Sequence, residues 1–254
     1  MKPRQYERTM RIVSWNVGHQ TRVAPIHPRL LDAVRALAPD VLLLNEYVHD
    51  AEVRAGFIQE LAAVGLTHSL FSEQKMRAAT TTGGKEKRNN QVLAADRFPL
   101  HRGDLRGPEV HDNGGETNFL HVLIPPLSIE LVGIRVPAYD PATLTSYWDS
   151  FLQLAASAAG RKICFIGDFN ADPDGTKHRE SRRFAGLRGH GWEIPAPDGD
   201  WSFKSGTRID HALASPTFPL ISARYVAVHD DLILAGSTDA AISDHAALVV
   251  ECAQ

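Results

Sequence analysis

Residues 163–170 read ICFIGDFN. An apolar run of this kind belongs in a buried strand, yet it closes on Asp168 and Asn170, two positions apart. Side chains of a strand alternate between its faces, so this spacing aims Asp168 and Asn170 the same way and turns Phe169 back toward the core. Two readings compete. Asp and Asn cap a turn, with Asp172, Pro173, Asp174 and Gly175 just downstream, or the strand end presents polar groups to a site. In both readings residues 163–168 form a strand, and the rest of the chain must supply its neighbours.

Strands alternate with helices on both sides of it. MRIVSWNV (10–17) reads as a strand, and PRLLDAVRALA (28–38) puts Leu30, Leu31, Val34, Leu37 and Ala38 on one helical face after a proline start. DVLLLNE (40–46) is a buried strand, and a second helix is expected across 51–64. Short strands follow at THSLFS (67–72), NNQVLAAD (89–96), TNFLHVLI (117–124) and SIELVGIRV (128–136). Asp140 and Pro141 open a third helix, whose Leu144, Tyr147, Trp148, Phe151, Leu152 and Ala155 recur at core-packing spacing. The remaining strands are KICFIG, RIDHALA, RYVAVH and AALVVEC. Consecutive strands between 67 and 136 argue against a simple doubly wound sheet, and the helices elsewhere argue against an all-β sandwich. Two sheets with outer helices fit this order.

At 254 residues the chain has the length of one large domain, taken as 10–254 behind a charged tail at 1–9. Its 43% hydrophobic and 22% charged residues are those of an ordinary globular protein. Cys164 and Cys252 lie in apolar segments and read as reduced core residues. No segment reads as a signal peptide or a membrane span, so a cytoplasmic protein with no membrane partner is expected. The net charge of −3 gives no bulk attraction for nucleic acid, so any basic footprint must be local.

Polar residues gather at strand ends. Asn16 closes the first strand, Glu46 closes LLLNE, Asp168 and Asn170 close ICFIGDFN, Asp210 sits in RIDHALAS, and Asp244 and His245 form SDH before the last strand. Carboxylates, carboxamides and an imidazole at the ends of buried strands are the groups that hold a hard divalent cation and run acid/base chemistry beside it. His211, next to Asp210, is expected on the other face of its strand in a packed role.

From SWN (14–16) to SDH (243–245), this ordered set resembles the endonuclease/exonuclease/phosphatase superfamily. That group includes exonuclease III-like repair nucleases, DNase I-like nucleases, sphingomyelinases and inositol polyphosphate phosphatases. The resemblance implies an α/β fold, a four-layer α/β/β/α sandwich of two packed mixed sheets flanked by helices. It implies Glu46, Asn16 and Asp244 as the metal site, for Mg²⁺ with Mn²⁺ as the second candidate, and Asp168, Asn170, Asp210 and His245 as the catalytic set. In this reading the metal neutralises charge developing on a phosphodiester, Asp168 aligns and deprotonates a water, and Asn170 bonds the phosphate or that water. Asp210 orients His245, which acts either as general base or as cationic phosphate stabiliser.

One position departs from the family pattern. In LVGIRVPAYD the family commonly has tyrosine or histidine where this chain has Arg135. A guanidinium stays protonated and cannot give up a proton, but its fork suits a pair of phosphate oxygens. The alternative for Arg135 is a surface salt bridge.

Two basic clusters bear on substrate: GGKEKRNN (83–90), with Lys85, Lys87 and Arg88, and KHRESRRFAGLR (177–188), with Arg182 and Arg183. Both are candidate contacts for a polyanion. Only Lys204, Ser205, Gly206 and Thr207 separate WSF from RIDHALAS, which leaves no room for a larger groove-probing insertion. The expected function is Mg²⁺-dependent hydrolysis of phosphodiesters, with DNA or RNA as the leading substrate. The alternatives are a phosphatase or phosphodiesterase acting on a small phosphorylated molecule or lipid head group, and a binding module that has lost the reaction.

Overall fold

The computed structural model describes residues 9–18, 27–47, 51–72, 91–109, 117–137, 141–176 and 179–254. In chain order the elements are β1 (Thr9–Asn16), α1 (Leu30–Leu37), β2 (Val41–Tyr47), α2 (Ala51–Ala63), β3 (His68–Phe71), β4 (Gln91–Asp96), β5 (His101–Arg102), β6 (Phe119–Ile124) and β7 (Ile129–Arg135). Then come α3 (Pro141–Ala158), β8 (Ile163–Asp168), α4 (Arg183–Gly189), β9 (Asp210–Ala214), β10 (Leu220–Val226), β11 (Val228–His229), β12 (Leu232–Ile233) and β13 (Ala247–Ala253).

The strands form a six-stranded sheet in the order β10-β13-β1-β2-β4-β3 and a five-stranded sheet in the order β5-β6-β7-β8-β9, with β11 and β12 as a separate ribbon. Each large sheet contains one parallel pair, β1 with β2 and β7 with β8, among antiparallel neighbours. Three apolar layers hold them. Ile12, Leu43, Val92, Leu120, Leu131 and Ile166 pack between the sheets. Leu30, Val34 and Leu37 of α1, with Phe57 and Leu61 of α2, cover Val13, Leu42 and Val249 on the outside of the first sheet. Trp148 and Phe151 of α3, with Phe184 and Leu187 of α4, cover Val132, Phe165 and Leu213 on the outside of the second. This is the expected four-layer sandwich.

Local sequence accounts for the helix ends. α1 presents Leu30, Ala33, Val34 and Leu37 at helical spacing and stops at Ala38, whose left-handed backbone (φ 46°) turns its N–H back onto the carbonyls of Val34 and Arg35, just before Pro39. Pro141 starts α3, where its missing N–H costs nothing. Trp148 packs against Phe151, Phe169 and Phe184 at centroid distances of 5.6, 6.2 and 5.2 Å, so truncating it to alanine removes about 3–5 kcal/mol. Cys164 and Cys252 are buried free thiols. Among the described residues no helix is long and apolar enough to cross a membrane.

Candidate active site

The topology gathers the polar strand ends. Parallel pairing sends the C-terminal ends of β1 and β2 to one edge of the sandwich, and the same pairing sends those of β7 and β8 there from the other sheet. β9 and β13 run antiparallel to these neighbours and so begin at the same edge. The result is a cavity of about 300 Å³ lined by Gly18, Glu46, Arg135, Asp168, Asn170, Phe203, Ile209, Asp244 and His245.

Two of these side chains reach it through strained backbone. The β2/β4 register slips between Leu44 and Tyr47, and Glu46 has φ 53°. Strict alternation would place Glu46 on the helix-covered face with Leu42 and Leu44; the irregularity turns it into the cavity. Asn170 has φ 48°. Its alignment with Asp168 therefore comes from a turn after β8 and not from strand alternation, while Phe169 is buried in the outer core as expected. Left-handed non-glycine residues cost roughly 1–3 kcal/mol each and collect at functional sites. Gly167 answers a related demand, since a Cβ there would lie 2.0 Å from the Ile134 carbonyl oxygen and 2.8 Å from Asn45 Nδ2, at φ 147°.

Asp168 is held by three N–H groups. Asn170 N donates to its Oδ1 at 2.8 Å, and Asn16 Nδ2 and Asn170 Nδ2 donate to its Oδ2 at 3.0 and 3.3 Å. ICFIGDFN thus closes in a hydrogen-bonded turn and, with the same residues, presents Asp168 and Asn170 to the cavity. Burial, and then the charge of Asp210, push the Asp168 carboxyl above its usual range, against the pull of His245 and Arg135. Asn170 Nδ2 also donates to the Val136 carbonyl at 2.7 Å.

His245 Nδ1 bonds Asp210 Oδ2 at 2.9 Å, and its ring lies 4.8 Å from that of Phe203. Burial lowers the imidazole pKa, but Asp210, Asp168 and Asp244 outweigh it and bring it to about 9. Trp15 Nε1 donates to the His245 carbonyl, and Ser243 Oγ accepts from His245 N, so the backbone of SDH is fixed from both sides. Asp244 faces Lys204 at 3.1 Å and His245 Nε2 at 4.0 Å. His211 lies away from the cavity, its Nε2 on the Arg208 carbonyl and its ring beside Phe169 and Phe184. Burial lowers its pKa to about 4.

Arg135 is not a surface residue. Its Nε donates to Glu46 Oε1 at 2.6 Å with the two side chains only 15% and 10% exposed, which replaces the surface salt bridge considered for it. The basic clusters fare differently. Lys85, Lys87 and Arg88 lie outside the described residues. Arg182 and Arg183 do not line the cavity: Arg182 is exposed, and Arg183 is bound by Asp149 and Glu180 on the helical side. KHRESRRFAGLR reads as a cationic patch, but its partner acids, Glu180 within it and Asp149 and Asp174 outside it, neutralise Arg183 and Arg188 in the fold. In the sequence Lys204 opens the short connection and Phe203 closes WSF just before it, and neither is marked as a site residue. They stand beside His245 and Asp244 because Lys204 N donates to the Asp244 carbonyl and Ala246 N to that of Ser202.

The four-layer sandwich thus brings a buried carboxylate, an acid-oriented imidazole and a guanidinium to one cavity, groups suited to hydrolysis of a phosphoric ester. The chain belongs to the Endonuclease/Exonuclease/phosphatase family, whose profile it matches over residues 13–245. The fold is similar to that of an endonuclease/exonuclease/phosphatase from Beutenbergia cavernae DSM 12333 (TM-score 0.71, 20% identity, 97% of this chain and 72% of that one). It is also similar to a 3′ phosphatase from Neisseria bound to product DNA hairpin (0.66, 19%, 96% and 100%) and to an AP endonuclease from Archaeoglobus fulgidus (0.59, 17%, 95% and 98%). No curated protein matches the chain in sequence.

Enzymes of this family generally use divalent cations. The donor set here is hard: Glu46 and Asp244 both bring carboxylate oxygens to the cavity. Among the described residues no three His, Cys, Asp or Glu side chains converge as a ready ligand cluster. Asn16 is bound at both ends of its carboxamide, its Oδ1 accepting from Gly18 N at 2.9 Å and its Nδ2 donating to Asp168. Only the second lone pair of Oδ1 is left for a cation.

Proposed function

We propose that the protein is a Mg²⁺-dependent phosphodiesterase acting on nucleic acid, with Mn²⁺ able to substitute. The observation that carries this reading is the pairing of His245 with Asp210 beside Asp168, in a cavity that also holds Glu46 and Arg135. A cation on Glu46 and Asp244 would supply neutralisation of the charge that develops on the phosphoryl oxygens. The chain's own groups supply the rest. Both hydrogens of Asn170 Nδ2 are used by Val136 and Asp168, so its Oδ1 is the atom it offers, and an acceptor pairs with an attacking water and not with a phosphate oxygen. Asp168, aligned by Asn16 and Asn170, takes the proton from that water. His245 uses Nδ1 on Asp210, which leaves Nε2 to meet a phosphate oxygen from the other side. Arg135, whose guanidinium lines the cavity, closes on the same phosphate.

Two features support a polymer over an isolated phosphate. A second hollow of about 340 Å³, lined by Lys204, Ser237 and Thr238 among others, lies beside the first and shares Gly18 and Asp244 with it, room for substrate on either side of the scissile bond. The similar Neisseria structure holds a DNA hairpin. The test is hydrolysis of bis(p-nitrophenyl) phosphate and of labelled single-stranded and duplex DNA and RNA, with Mg²⁺ or Mn²⁺ and with chelator. Cation-dependent cleavage of the diester and of a nucleic acid is expected. A preference for p-nitrophenyl phosphate, with all nucleic acids untouched, would replace this reading with a small-molecule phosphatase.

A further inference from the structure

Lys204 sits in a turn that the site itself holds in place. Phe203 pairs with His245 as an antiparallel bridge and with Thr207 across the turn, and Gly206 N donates to the Phe203 carbonyl at 2.9 Å. Gly206 closes the turn at φ 80°, where a side chain would be strained. Lys204 N donates to the Asp244 carbonyl at 2.9 Å, while Ser202 Oγ accepts from Ile209 N and Asp210 N. The Lys204 backbone is therefore tied to the same residues that place Asp210 and His245. Its side chain turns out of the cavity. The ammonium lies 3.1 Å from Asp244 Oδ2 and 5.8 Å from the centre of the Phe203 ring, and Lys204 lines the second hollow and not the first.

Each carboxylate placed to serve a cation is paired with a basic side chain, and the two pairs differ in burial. Arg135 and Glu46 are closed off from water. Lys204 and Asp244 are 43% and 31% exposed, and a pair so open to water is worth little and exchanges partners readily. A divalent ion on Asp244 competes with the ammonium for the carboxylate and repels it. The second hollow can receive it. Ser237 and Thr238 offer hydroxyls there, and burial, with Arg29 beside it, holds His27 below its ordinary pKa and so uncharged at neutral pH. Lys204 is thus the one cationic side chain among the described residues that line this hollow. Asp239, also in the lining, is exposed, where solvent and salt screen its charge. A compact ammonium beside hydroxyls is a site for a phosphate.

We propose that Lys204 is a specificity-determining residue for polynucleotides: its ammonium, held on Asp244 until a cation takes that carboxylate, binds the substrate phosphate next to the scissile one. The inference rests on the phosphodiesterase reading and deepens it, since an isolated diester offers no second phosphate. Lys204→Met keeps an apolar stem for Phe203 and deletes the charge, and Lys204→Arg restores a cation. Both are compared with wild type by steady-state kinetics on bis(p-nitrophenyl) phosphate, which has one phosphate, and on a trinucleotide, which has two, and by calorimetric titration with Mg²⁺. In Lys204→Met the KM for the trinucleotide is expected to rise about tenfold while that for the one-phosphate diester stays as in wild type. The slope of log KM against log salt should flatten by about 0.7, one phosphate contact on a single strand. Lys204→Arg should recover most of the loss. Mg²⁺ should bind Lys204→Met more tightly than wild type, because its competitor for Asp244 is gone. An equal rise in KM on both substrates would overturn the proposal, as would an unchanged Mg²⁺ affinity. The trinucleotide is also titrated into Asp168→Asn with and without Lys204→Met, which reads binding without turnover. If the wild type cleaves neither substrate the phosphodiesterase reading falls, and a trinucleotide affinity indifferent to Lys204 in that titration overturns the proposal on its own.

Discussion

Asn16 Nδ2 donates to Asp168 Oδ2 at 3.0 Å, and this hydrogen bond joins the last residue of β1 in one sheet to the last residue of β8 in the other. The site is thus also a latch between the two halves of the sandwich. Both residues are buried, and breaking the bond leaves Asp168 Oδ2 with the longer bond from Asn170 Nδ2, at 3.3 Å.

Asn16→Ala is accordingly expected to lower stability by about 0.5–1.5 kcal/mol, the net scale of one lost hydrogen bond. It should also lower kcat, because Asp168 loses one of the three donors that aim it. Asn16→Asp should be worse at neutral pH, since it sets two buried carboxylates against each other. Thermal unfolding and diester kinetics of both variants check this; wild-type turnover in Asn16→Ala would show that the bond is structural alone.

Glu46→Gln is expected to lose most cation-dependent turnover and also to melt lower. Taken by itself the sequence suggests an isolated metal carboxylate, whose amide would keep full stability. The 2.6 Å bond to Arg135 changes that expectation: replacing the anion weakens a charged hydrogen bond by about 1.5–3 kcal/mol. Removing both charges in Glu46→Gln/Arg135→Gln should cost less than the sum of the single losses, because neither partner is left as an unpaired charge. Additive melting shifts in that cycle would mean the two side chains are not coupled.

His245→Ala and Asp168→Asn are each expected to cost at least roughly 10²-fold in kcat, the usual worth of a positioned acid or base. Asp210→Asn should cost less, since an asparagine oxygen still accepts from the His245 Nδ1 proton although the charge is gone. Kinetics in which Asp210→Asn alone does damage would reverse these roles.

How far the sequence discloses this arrangement depends on whether the controlling interaction is local. ICFIGDFN, DVLLLNE and the apolar stripes of α1 and α3 carry their structure in their own periodicity, and the four layers follow from the element order. α4 does not: RRFAGLRG has two glycines and no capping side chain, and it forms because Phe184 and Leu187 meet Trp148 and Trp192 in the outer core. β10 starts at Leu220, earlier than its apolar tail RYV suggests, because antiparallel pairing with β13 carries the exposed Ile221 and Ser222 into the sheet. Within the site, residue types, strand ends and the pairing of Asp210 with His245 were legible, but the pairing of Arg135 with Glu46 was not. Nothing near Arg135 in the chain announces Glu46, 89 residues away, and the strained turn of Glu46 into the cavity breaks the alternation on which a reader of the sequence relies.

Asp96 provides a test of stability that leaves the chemistry alone. It ends β4 opposite Val41, at the far end of β2 from Glu46. It is fully buried: Oδ1 accepts from Phe98 N at 2.7 Å, and Oδ2 has no partner among the described residues. Burial, which outweighs the Phe98 hydrogen bond, raises its pKa from 3.8 to about 7, with the Asp40 charge adding to the rise. The fold therefore holds a proton that the unfolded chain releases. The stability this carboxyl contributes is full below pH 3.8 and falls as pH rises through about 7. Asp96→Asn fixes the side chain in its neutral form and keeps an oxygen for Phe98. At pH 8 it is expected to exceed the wild type by about 1–3 kcal/mol, the scale on which an unsatisfied buried polar group destabilises, and the difference should shrink toward zero near pH 4. Turnover should be unchanged at every pH, because the residue is remote from the cavity. Denaturant unfolding of both proteins across pH 4–8 makes the comparison, and parallel stability curves would show that Asp96 is ionised in the folded protein.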